Sequence, residues 1–347
     1  MLPQTNALLH WYAIHKRQMP WRDVADPYRV WVSEIMLQQT RVETVVPYYL
    51  RWMELFPTVA ALAAASQPAV LKAWEGLGYY SRARKLHEGA QAVMERFGGR
   101  LPGDESQLAT LPGVGPYTAA AMASFAFGAD ALPVDGNLNR VLARLCGTDL
   151  LAGSKEFMEE VRRAGWKMLP TGRSADYNQA LMDLGSMVCT PMAPACGECP
   201  LAEWCASKSN PMARPRKPAK ATVPTKYKIA LVAMRNGQVL LVQRPQKGLL
   251  GGMWEFPAVE VADLMELDRE EAIRRMKQQY GITVDFLRVA MEVKHAYSHF
   301  RLVEQAWLAT AEVGQLAGQA CWVPVEQTGA LAMGKVDRAI ANRLAEW

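Results

Sequence analysis

Hydrophobic residues recur at intervals of three and four along the first 205 residues, with breaks at proline and glycine. The spacing is clearest at Val32, Ile35, Met36, Val42 and Val46, and again at Leu86, Ala90, Val93 and Phe97. Such a period places the apolar side chains on one face of a helix. We therefore predict a mostly α-helical region over residues 1–205.

A strand pattern replaces this period in the last third of the chain. Residues 228–234 form an apolar run, Asn236-Gly237 is a hairpin signal, and residues 239–242 predict the return strand. A helix at about 268–280 and strands at about 282–293 and 301–311 complete an α+β domain over 227–347. Residues 206–228 contain seven Lys or Arg, four prolines and no acid. We interpret 206–226 as a basic linker, with a basic surface loop as the alternative.

Composition narrows the class of protein. A chain of 347 residues with 50% hydrophobic and 21% charged residues indicates about two globular domains. Its apolar runs are shorter than the roughly 18 residues of a membrane span, and the first residues do not follow a signal-peptide pattern. We expect a cytoplasmic protein. The net charge of +5 adds a mild bias toward acidic partners such as nucleic acid.

Four of the six cysteines are clustered with the spacing Cys189-x6-Cys196-x2-Cys199-x5-Cys205. Four thiolates at this spacing can surround one metal centre. Zinc sites usually pair two short C-x2-C knuckles, and here there is one. Cys₄ ligation also suits an iron–sulfur cluster, and unligated thiols are the third alternative. Cys146 and Cys321 are expected to be small buried hydrophobic residues.

Residues 111–118, LPGVGPYT, combine a glycine turn with a proline suited to the first turn of a helix. Backbone N–H groups there can meet a DNA phosphate, so Leu111, Gly113 and Gly115 are candidate DNA contacts. The alternative is a plain turn between helices. About twenty residues later, Asp135 precedes Gly136-Asn137 and could simply cap a helix or sit in a turn.

Residues 31–40, WVSEIMLQQT, place Trp31, Glu34 and Gln38 on one face of a predicted helix. A glutamate among apolar neighbours would be desolvated, which raises its pKa and suits a general acid near neutral pH. The alternative is an exposed Glu34 on a solvent-facing helix.

These motifs, together with GLGYYSRAR at 76–84, occur in the order found in the MutY family of adenine DNA glycosylases, and the sequence closely resembles that family over essentially the whole chain. The resemblance implies a multidomain protein. A mostly α-helical helix–hairpin–helix glycosylase domain would occupy 1–205 and include a [4Fe-4S] loop at 189–205. An α+β Nudix-like domain would occupy 227–347. The implied activity is base-excision repair, in which adenine mispaired with 8-oxoguanine or guanine is flipped out and its N-glycosidic bond hydrolysed.

The resemblance also implies residue roles. Glu34 would protonate adenine N7, and Asp135 would stabilise the oxocarbenium-like sugar and bond to it transiently, with Tyr117 and Asn137 beside them. The residues implied to contact the flipped adenine are Arg17, Trp21 and Gln179. The residues implied to contact DNA are Gln38, Gln39, Thr40 and Tyr79, of which Gln39 and Tyr79 wedge into the helix. One [4Fe-4S] cluster would be bound by Cys189, Cys196, Cys199 and Cys205.

Position 117 bears on the reaction type. Endonuclease III-like relatives carry a Schiff-base lysine at this spacing, and a tyrosine cannot form an imine with the sugar. We therefore expect a monofunctional glycosylase, although Lys16 could still trap product weakly. An endonuclease III-like pyrimidine glycosylase/lyase and a non-catalytic mismatch sensor remain the alternatives.

In the C-terminal region, residues 274–282 are the nearest match to a Nudix box, but Arg or Gln replaces its three glutamates. Without those carboxylates we expect no Mg²⁺ site and no nucleotide hydrolase. The family resemblance implies that Tyr297, Ser298 and His299 recognise 8-oxoguanine, whereas an ordinary strand is the alternative. The expected partner is double-stranded DNA containing 8-oxoguanine:adenine or guanine:adenine mispairs, bound by a monomer in the nucleoid of a bacterium.

Overall fold

A computed structural model describes residues 1–24, 26–219, 222–264, 269–313 and 320–347. The chain divides into two compact units. The first contains Met1–Ala64 and Lys85–Lys220, and the second contains Ala65–Arg84 and Ala221–Trp347. The segment Ala65–Arg84, which lies inside the domain predicted over 1–205, therefore packs with the C-terminal part of the chain.

The region up to residue 205 is helical, as the apolar spacing predicts. Its helices are α1 (Pro3–His15), α2 (Pro27–Leu37), α3 (Val42–Leu55), α4 (Val59–Ala64), α5 (Gln67–Ala73), α6 (Ser81–Phe97), α7 (Glu105–Leu108), α8 (Pro116–Phe127), α9 (Gly136–Cys146), α10 (Lys155–Met168) and α11 (Ser174–Met187). Short 3-10 turns follow at Cys196–Glu198, Ala202–Trp204 and Pro211–Ala213.

Local sequence sets the helix ends that matter for the site. Asp26 caps α2 by accepting hydrogen bonds from the Tyr28 and Arg29 amides, and Pro27 starts the helix. Pro116 starts α8, and Gly128 ends it in the left-handed conformation. Helix α2 packs on α8, and α11 packs on α1 and α9. Buried apolar residues of α1, α9, α10 and α11 form one continuous core of the first unit.

The second unit is built on a mixed seven-stranded sheet. Its strands are β1 (Thr225–Arg235), β2 (Gln238–Gln243), β3 (Trp254–Glu255), β4 (Ala258–Val261), β5 (Ile282–Ala296), β6 (Arg301–Val313) and β7 (Ala320–Pro324). The path β3-β2-β1-β6-β5 is extended by β4 on β1 and β7 on β2. Among the strand pairs of the described residues, only β1 and β6 run parallel. The predicted hairpin and the α+β class are confirmed.

Alternate residues of β1 feed two cores on opposite faces of this sheet, as the strand period requires. Ile229 and Leu231 pack toward α12 (Arg269–Tyr280), and Ala230 and Val232 pack toward α13 (Lys335–Ala341). The segment Ala65–Arg84 is joined to this unit by polar contacts. Arg338 Nε donates to Glu75 Oε1 at 2.6 Å, and Arg84 Nη1 donates to the Gly251 carbonyl at 2.8 Å. Among the described residues, no helix is long and apolar enough to cross a membrane.

Three acidic side chains lie close together in the second unit, with Glu304 and Asp337 buried and Glu255 partly buried. Glu255 is paired with Arg244, and Asp337 Oδ1 accepts a hydrogen bond from the Phe256 amide at 3.1 Å. Glu304 lies opposite Lys228 in the β1–β6 pairing and is 4% exposed. Burial and the neighbouring Asp337 carboxylate raise the pKa of Glu304 to about 8. The folded protein therefore holds a proton there that the unfolded chain releases near its ordinary pKa.

Replacement of Glu304 by Gln is expected to flatten the pH dependence of stability. Because the folded pKa is raised, wild-type stability should fall as pH rises from about 5 to about 8, where only the unfolded carboxyl is ionised. Glu304→Gln removes this ionisation. Thermal unfolding midpoints at pH 5.5 and pH 8 measure the effect, with the exposed Glu326→Gln as control. Equal pH slopes for wild type and Glu304→Gln would contradict the expectation.

Candidate active site

Glu34 lies on α2 and is 6% exposed. The Tyr117 hydroxyl donates a hydrogen bond of 2.8 Å to Glu34 Oε2. The pKa of Glu34 is raised to about 7. Burial is the main cause, the Asp135 carboxylate adds to the rise, and the Tyr117 hydrogen bond opposes it. The sequence left open whether Glu34 faces solvent, and the structure buries it. At neutral pH this carboxyl group is therefore protonated in a large fraction of the protein molecules.

Asp135 is the N-cap of α9 and has a different environment. It accepts hydrogen bonds from the Leu138 amide at 2.7 Å and from Asn137 Nδ2 at 3.2 Å. Burial raises the pKa of Asp135, while these hydrogen bonds and the nearby Arg140 lower it. Donors and a helix N-terminus favour the charged form. Glu34 and Asp135 are thus neighbouring carboxyl groups with different support for their negative charge.

The Glu34 side chain lines a cavity of about 270 Å³. Arg17, Trp21 and Gln179, which the family resemblance assigns to adenine binding, also line this cavity. The Tyr12 hydroxyl donates to Gln179 Oε1 at 3.3 Å, which leaves the amide nitrogen as a donor. The cavity is close to the lower end of the size range of small-molecule sites. It combines an aromatic ring, a carboxyl group and several donors.

Two residues of this site, Asp183 and Arg22, were not predicted from the sequence. Asp183 is fully buried and accepts hydrogen bonds from Arg17 Nε at 2.9 Å and from both terminal nitrogens of Arg22. Arg22 also lines the cavity. A buried carboxylate between two guanidinium groups fixes both side chains in position. The available signal was spacing, since Asp183 lies four residues after Gln179 on α11.

The glycine hairpin packs closely against α6, where Lys85 lies. Gly113 has a φ of +78°, and a Cβ built there would lie 2.6 Å from Lys85 Cβ. Gly113 and Gly115 are exposed, whereas the Leu111 side chain is 3% exposed. A DNA contact at Leu111 would therefore have to involve its backbone.

Gln38, Gln39 and Thr40, which follow α2, differ in how free their side chains are to contact DNA. Gln38 Nε2 donates to Thr118 Oγ1 at 3.2 Å, and Thr40 Oγ1 contacts the Gln38 carbonyl. Gln39 is exposed and has a φ of +57°. A non-glycine residue in the left-handed region is strained, and such strain is common at functional sites.

All four clustered cysteines line one cavity. Burial raises the pKa of the Cys199 thiol to about 11, and the three other thiols raise it further. Among the described residues, no three His, Cys, Asp or Glu side chains form a group suited to a single metal ion. Arg144, which is 3% exposed, donates to Cys189 Sγ at 3.3 Å and to the Thr190 carbonyl at 2.7 Å.

A chain of hydrogen bonds links Asp135 to this cysteine cavity. Asn137 donates to Asp135, Arg140 Nη2 donates to Asn137 Oδ1 at 2.8 Å, and Arg140 Nε donates to the Cys189 carbonyl at 2.8 Å. Arg140 and Arg144 lie at i+3 and i+7 from Asn137 on α9. The side chains that form this series of hydrogen bonds are therefore on one face of the helix. Neither arginine belongs to a motif that the sequence singles out.

The second unit has its own cavity of about 440 Å³, lined by Tyr79, Tyr297, Ser298 and His299 among others. The Tyr79 and Ser298 hydroxyl groups are hydrogen-bonded at 2.7 Å. The Tyr297 ring stacks on Phe300 with centroids 4.7 Å apart. Tyr79 is 46% exposed and has a φ of +48°. Three residues that the resemblance assigns to 8-oxoguanine and one predicted wedge residue are therefore side by side.

The segment nearest to a Nudix box lies at the end of α12 and the following turn. Arg274 and Arg275 both bond the Glu271 carboxylate. This acidic side chain is therefore already engaged with cations. Lys16, named as a weak trap, donates to Asp23 Oδ2 at 2.8 Å.

The first unit is helical, and its buried Glu34 lines a cavity. The second unit is a mixed sheet with helices. Together they define a helix–hairpin–helix DNA repair protein joined to a Nudix-like domain. Family models agree. Residues 32–167 match the HhH-GPD superfamily of base excision DNA repair proteins, and residues 229–343 match the NUDIX domain.

Relatives that match most of the chain show its family. The human adenine DNA glycosylase is 35% identical, and the match covers 87% of this chain and 66% of the human protein. The adenine DNA glycosylase of Buchnera aphidicola subsp. Baizongia pistaciae is 31% identical, over 87% of this chain and 84% of the relative. A solved thermostable thymine-DNA glycosylase has a TM-score of 0.54 and 30% identity, over 59% of this chain and 94% of that chain. The chain belongs to the adenine DNA glycosylase family.

Removal of the Tyr117 hydroxyl is expected to move the pH dependence of the reaction. If Glu34 acts as an acid, the single-turnover rate should fall as pH rises through about 7. The Tyr117 hydrogen bond lowers the pKa of Glu34, so Tyr117→Phe should shift this fall to higher pH. Rates between pH 5.5 and 9 measure the shift, with Tyr48→Phe as the matched control. An unchanged midpoint, or a shift to lower pH, would argue against the assignment.

Proposed function

We propose that this protein removes adenine that is mispaired with 8-oxoguanine or guanine in duplex DNA. The observation that carries the proposal is the buried Glu34 carboxyl, with its pKa near 7, in a cavity shared with Arg17, Trp21 and Gln179. An adenine inside a duplex is inaccessible, so the nucleotide must be extruded into such a cavity. Family membership supports adenine as the base.

In the proposed reaction Glu34 delivers its proton to adenine N7. The bond between N9 and C1′ then breaks with its electron pair on the base, and positive charge develops on the sugar. Asp135, supported by the Leu138 amide and Asn137, stabilises that charge and can bond to C1′ until water replaces it. The division of labour resembles that of the two carboxyl groups in glycosidases. Gln179 and Arg17 would orient the base.

A monofunctional reaction follows from position 117 in this proposal. Tyr117 is hydrogen-bonded to Glu34 and its buried hydroxyl has a pKa raised well above the usual value, so it stays a neutral donor. It offers no amine for a Schiff base. Lys16, outside the residues that line the cavity, is bonded to Asp23. We therefore expect an abasic product without strand scission.

We also propose that Cys189, Cys196, Cys199 and Cys205 hold one [4Fe-4S] cluster. Four thiols around one cavity suit the donor set of such a cluster, whereas zinc sites usually pair two C-x2-C knuckles and this sequence has one here. The bound cluster would tie together a loop that has little regular structure. Arg144 would offset part of its negative charge through its contact with Cys189 Sγ.

Recognition of the opposite base is assigned in this proposal to the cavity of the second unit. Ser298 and His299 offer groups that can bond the oxidised edge of 8-oxoguanine, and Tyr297 offers an aromatic face. The hydrogen bond between Tyr79 and Ser298 would hold the Ser298 loop against the wedge residue. We infer that the protein acts on DNA as a monomer, associated with the nucleoid of a bacterium.

The excision reaction is tested by single-turnover assays on duplexes with adenine opposite 8-oxoguanine, guanine or thymine. Breaks should appear only after alkali, and only opposite 8-oxoguanine and guanine. Glu34→Gln should lower the rate about 10²- to 10⁴-fold because the proton donor is lost. The exposed Glu43→Gln is the matched control. Tight binding without adenine release would favour a mismatch sensor, and robust breaks without alkali would favour a lyase.

The recognition site is tested by a double-mutant cycle on Tyr79→Phe and Ser298→Ala. Each change removes one partner of the same hydrogen bond, so each should lower the ratio of 8-oxoguanine:adenine to guanine:adenine excision rates about 2- to 10-fold. The double variant should lose no more than either single variant. Additive losses would mean that the two hydroxyl groups act separately, and an unchanged ratio would remove this cavity from recognition.

A further inference from the structure

A second polar cavity, of about 360 Å³, lies in the first unit and has no role in the proposed excision. The start of α9, the cysteine loop and the segment Arg214–Lys217 surround it, and Gly136, Pro191 and Met192 form part of its wall. We call it the basic cavity. Its cationic lining residues are Arg140, Arg144, Arg214, Arg216 and Lys217, and none of the described residues that line it is acidic.

The charges of this cavity are only partly offset. Arg140 and Arg144 donate mainly to backbone carbonyls, which fix the guanidinium groups without neutralising them. Asp149 pairs with Arg214 at 3.0 Å, but its side chain is 71% exposed, so solvent screens the pair. The positive charge of Arg144 would be offset by the negative charge of a bound cluster. The remaining positive charge belongs chiefly to the segment Arg214–Lys217.

Backbone contacts hold this segment in place. The Ala152 amide donates to the Arg216 carbonyl at 2.8 Å, and Leu151 and Arg216 form a parallel bridge. Arg144 Nε donates to the Arg214 carbonyl at 3.0 Å. Among the described residues, Arg214 Nε is buried without a hydrogen-bond partner. The cations are thus presented by a docked stretch of chain rather than by a free linker.

The cysteine loop itself supplies no cation. Residues 189–205 contain no Lys or Arg and two glutamates, Glu198 and Glu203. Any anion held at this face must therefore be attracted by α9 and by the segment Arg214–Lys217. Gly136, at the N-terminus of α9, lines the cavity and directly follows Asp135. An anion bound here would lie close to the sugar on which Asp135 is proposed to act.

We propose that the basic cavity binds a backbone phosphate of the DNA strand that carries the target adenine, with Arg216 and Lys217 as its exposed phosphate ligands. Phosphate contacts position a protein on DNA without reading sequence. This inference rests on the proposed function. It adds an anchor after the fourth cysteine that the motifs of the glycosylase site do not include.

The test compares the double variant Arg216→Ala/Lys217→Ala with wild type. A matched control, Arg163→Ala/Lys167→Ala, removes the same charges from exposed positions of α10. Kd is measured for undamaged and 8-oxoguanine:adenine duplexes between 50 and 200 mM salt. Each lost phosphate contact should reduce the slope of log Kd against log salt by about 0.9. For one phosphate we expect a reduction of about 1, equal for both duplexes.

A methylphosphonate scan then identifies the phosphate. Single neutral linkages are placed along the adenine strand, and wild type should lose affinity at one or two positions near the adenine. The double variant should lose nothing further at those positions. Iron content and absorption near 400 nm, equal in all proteins, show that the loop is intact. Identical scans for wild type and variant, or a salt slope like that of the α10 control, would overturn the proposal.

The two proposals fail in different ways. If wild type neither binds duplex DNA nor releases adenine, the proposed function fails. If wild type binds and excises while the basic-cavity variant keeps the wild-type salt slope and scan, only the phosphate site is wrong.

Discussion

A carboxyl group removed from water keeps its proton to higher pH, and the packing of α2 against α8 imposes that condition on Glu34. Among the described residues, Tyr117 is its one hydrogen-bond donor. Asp135, a short distance away, receives an amide and a side-chain donor at a helix N-terminus. One protein interior thus supports two carboxyl groups unequally, and the proposed excision depends on this inequality. In the proposed excision, the cavity, the capping turn and the arginine pair on Asp183 would place a base between them.

Helix α9 connects this chemistry to the rest of its unit. Its first turn holds Asp135, and Arg140 and Arg144 further along the same helix bond the cysteine loop and the segment Arg214–Lys217. Such a helix cannot shift at one end without disturbing hydrogen bonds at the other. The cysteine loop, which has little regular structure of its own, therefore matters to the position of a side chain many residues away.

The sequence was most informative where function fixes residue type at short range. The apolar spacing predicted the helices and the Asn236-Gly237 turn predicted its hairpin. The motifs singled out Glu34, Asp135 and the four cysteines as candidate site residues, and their roles stay predictions. It could not show that Asp183 holds Arg17 and Arg22, because that contact joins residues about 160 positions apart. It also could not place the segment Ala65–Arg84, whose packing partners follow position 220. Long-range contacts leave no local period.

That segment has a consequence for how the chain can be divided. Because residues 65–84 belong to the second unit while both flanking stretches belong to the first, the chain passes between the units three times. A single cut after the basic linker would therefore not release two autonomous folds. The N-terminal fragment would keep a stretch whose Glu75 had lost its ion pair with Arg338, and the C-terminal fragment would lack the tyrosine that bonds Ser298. A fusion or split version of this protein would have to respect this interleaved connectivity.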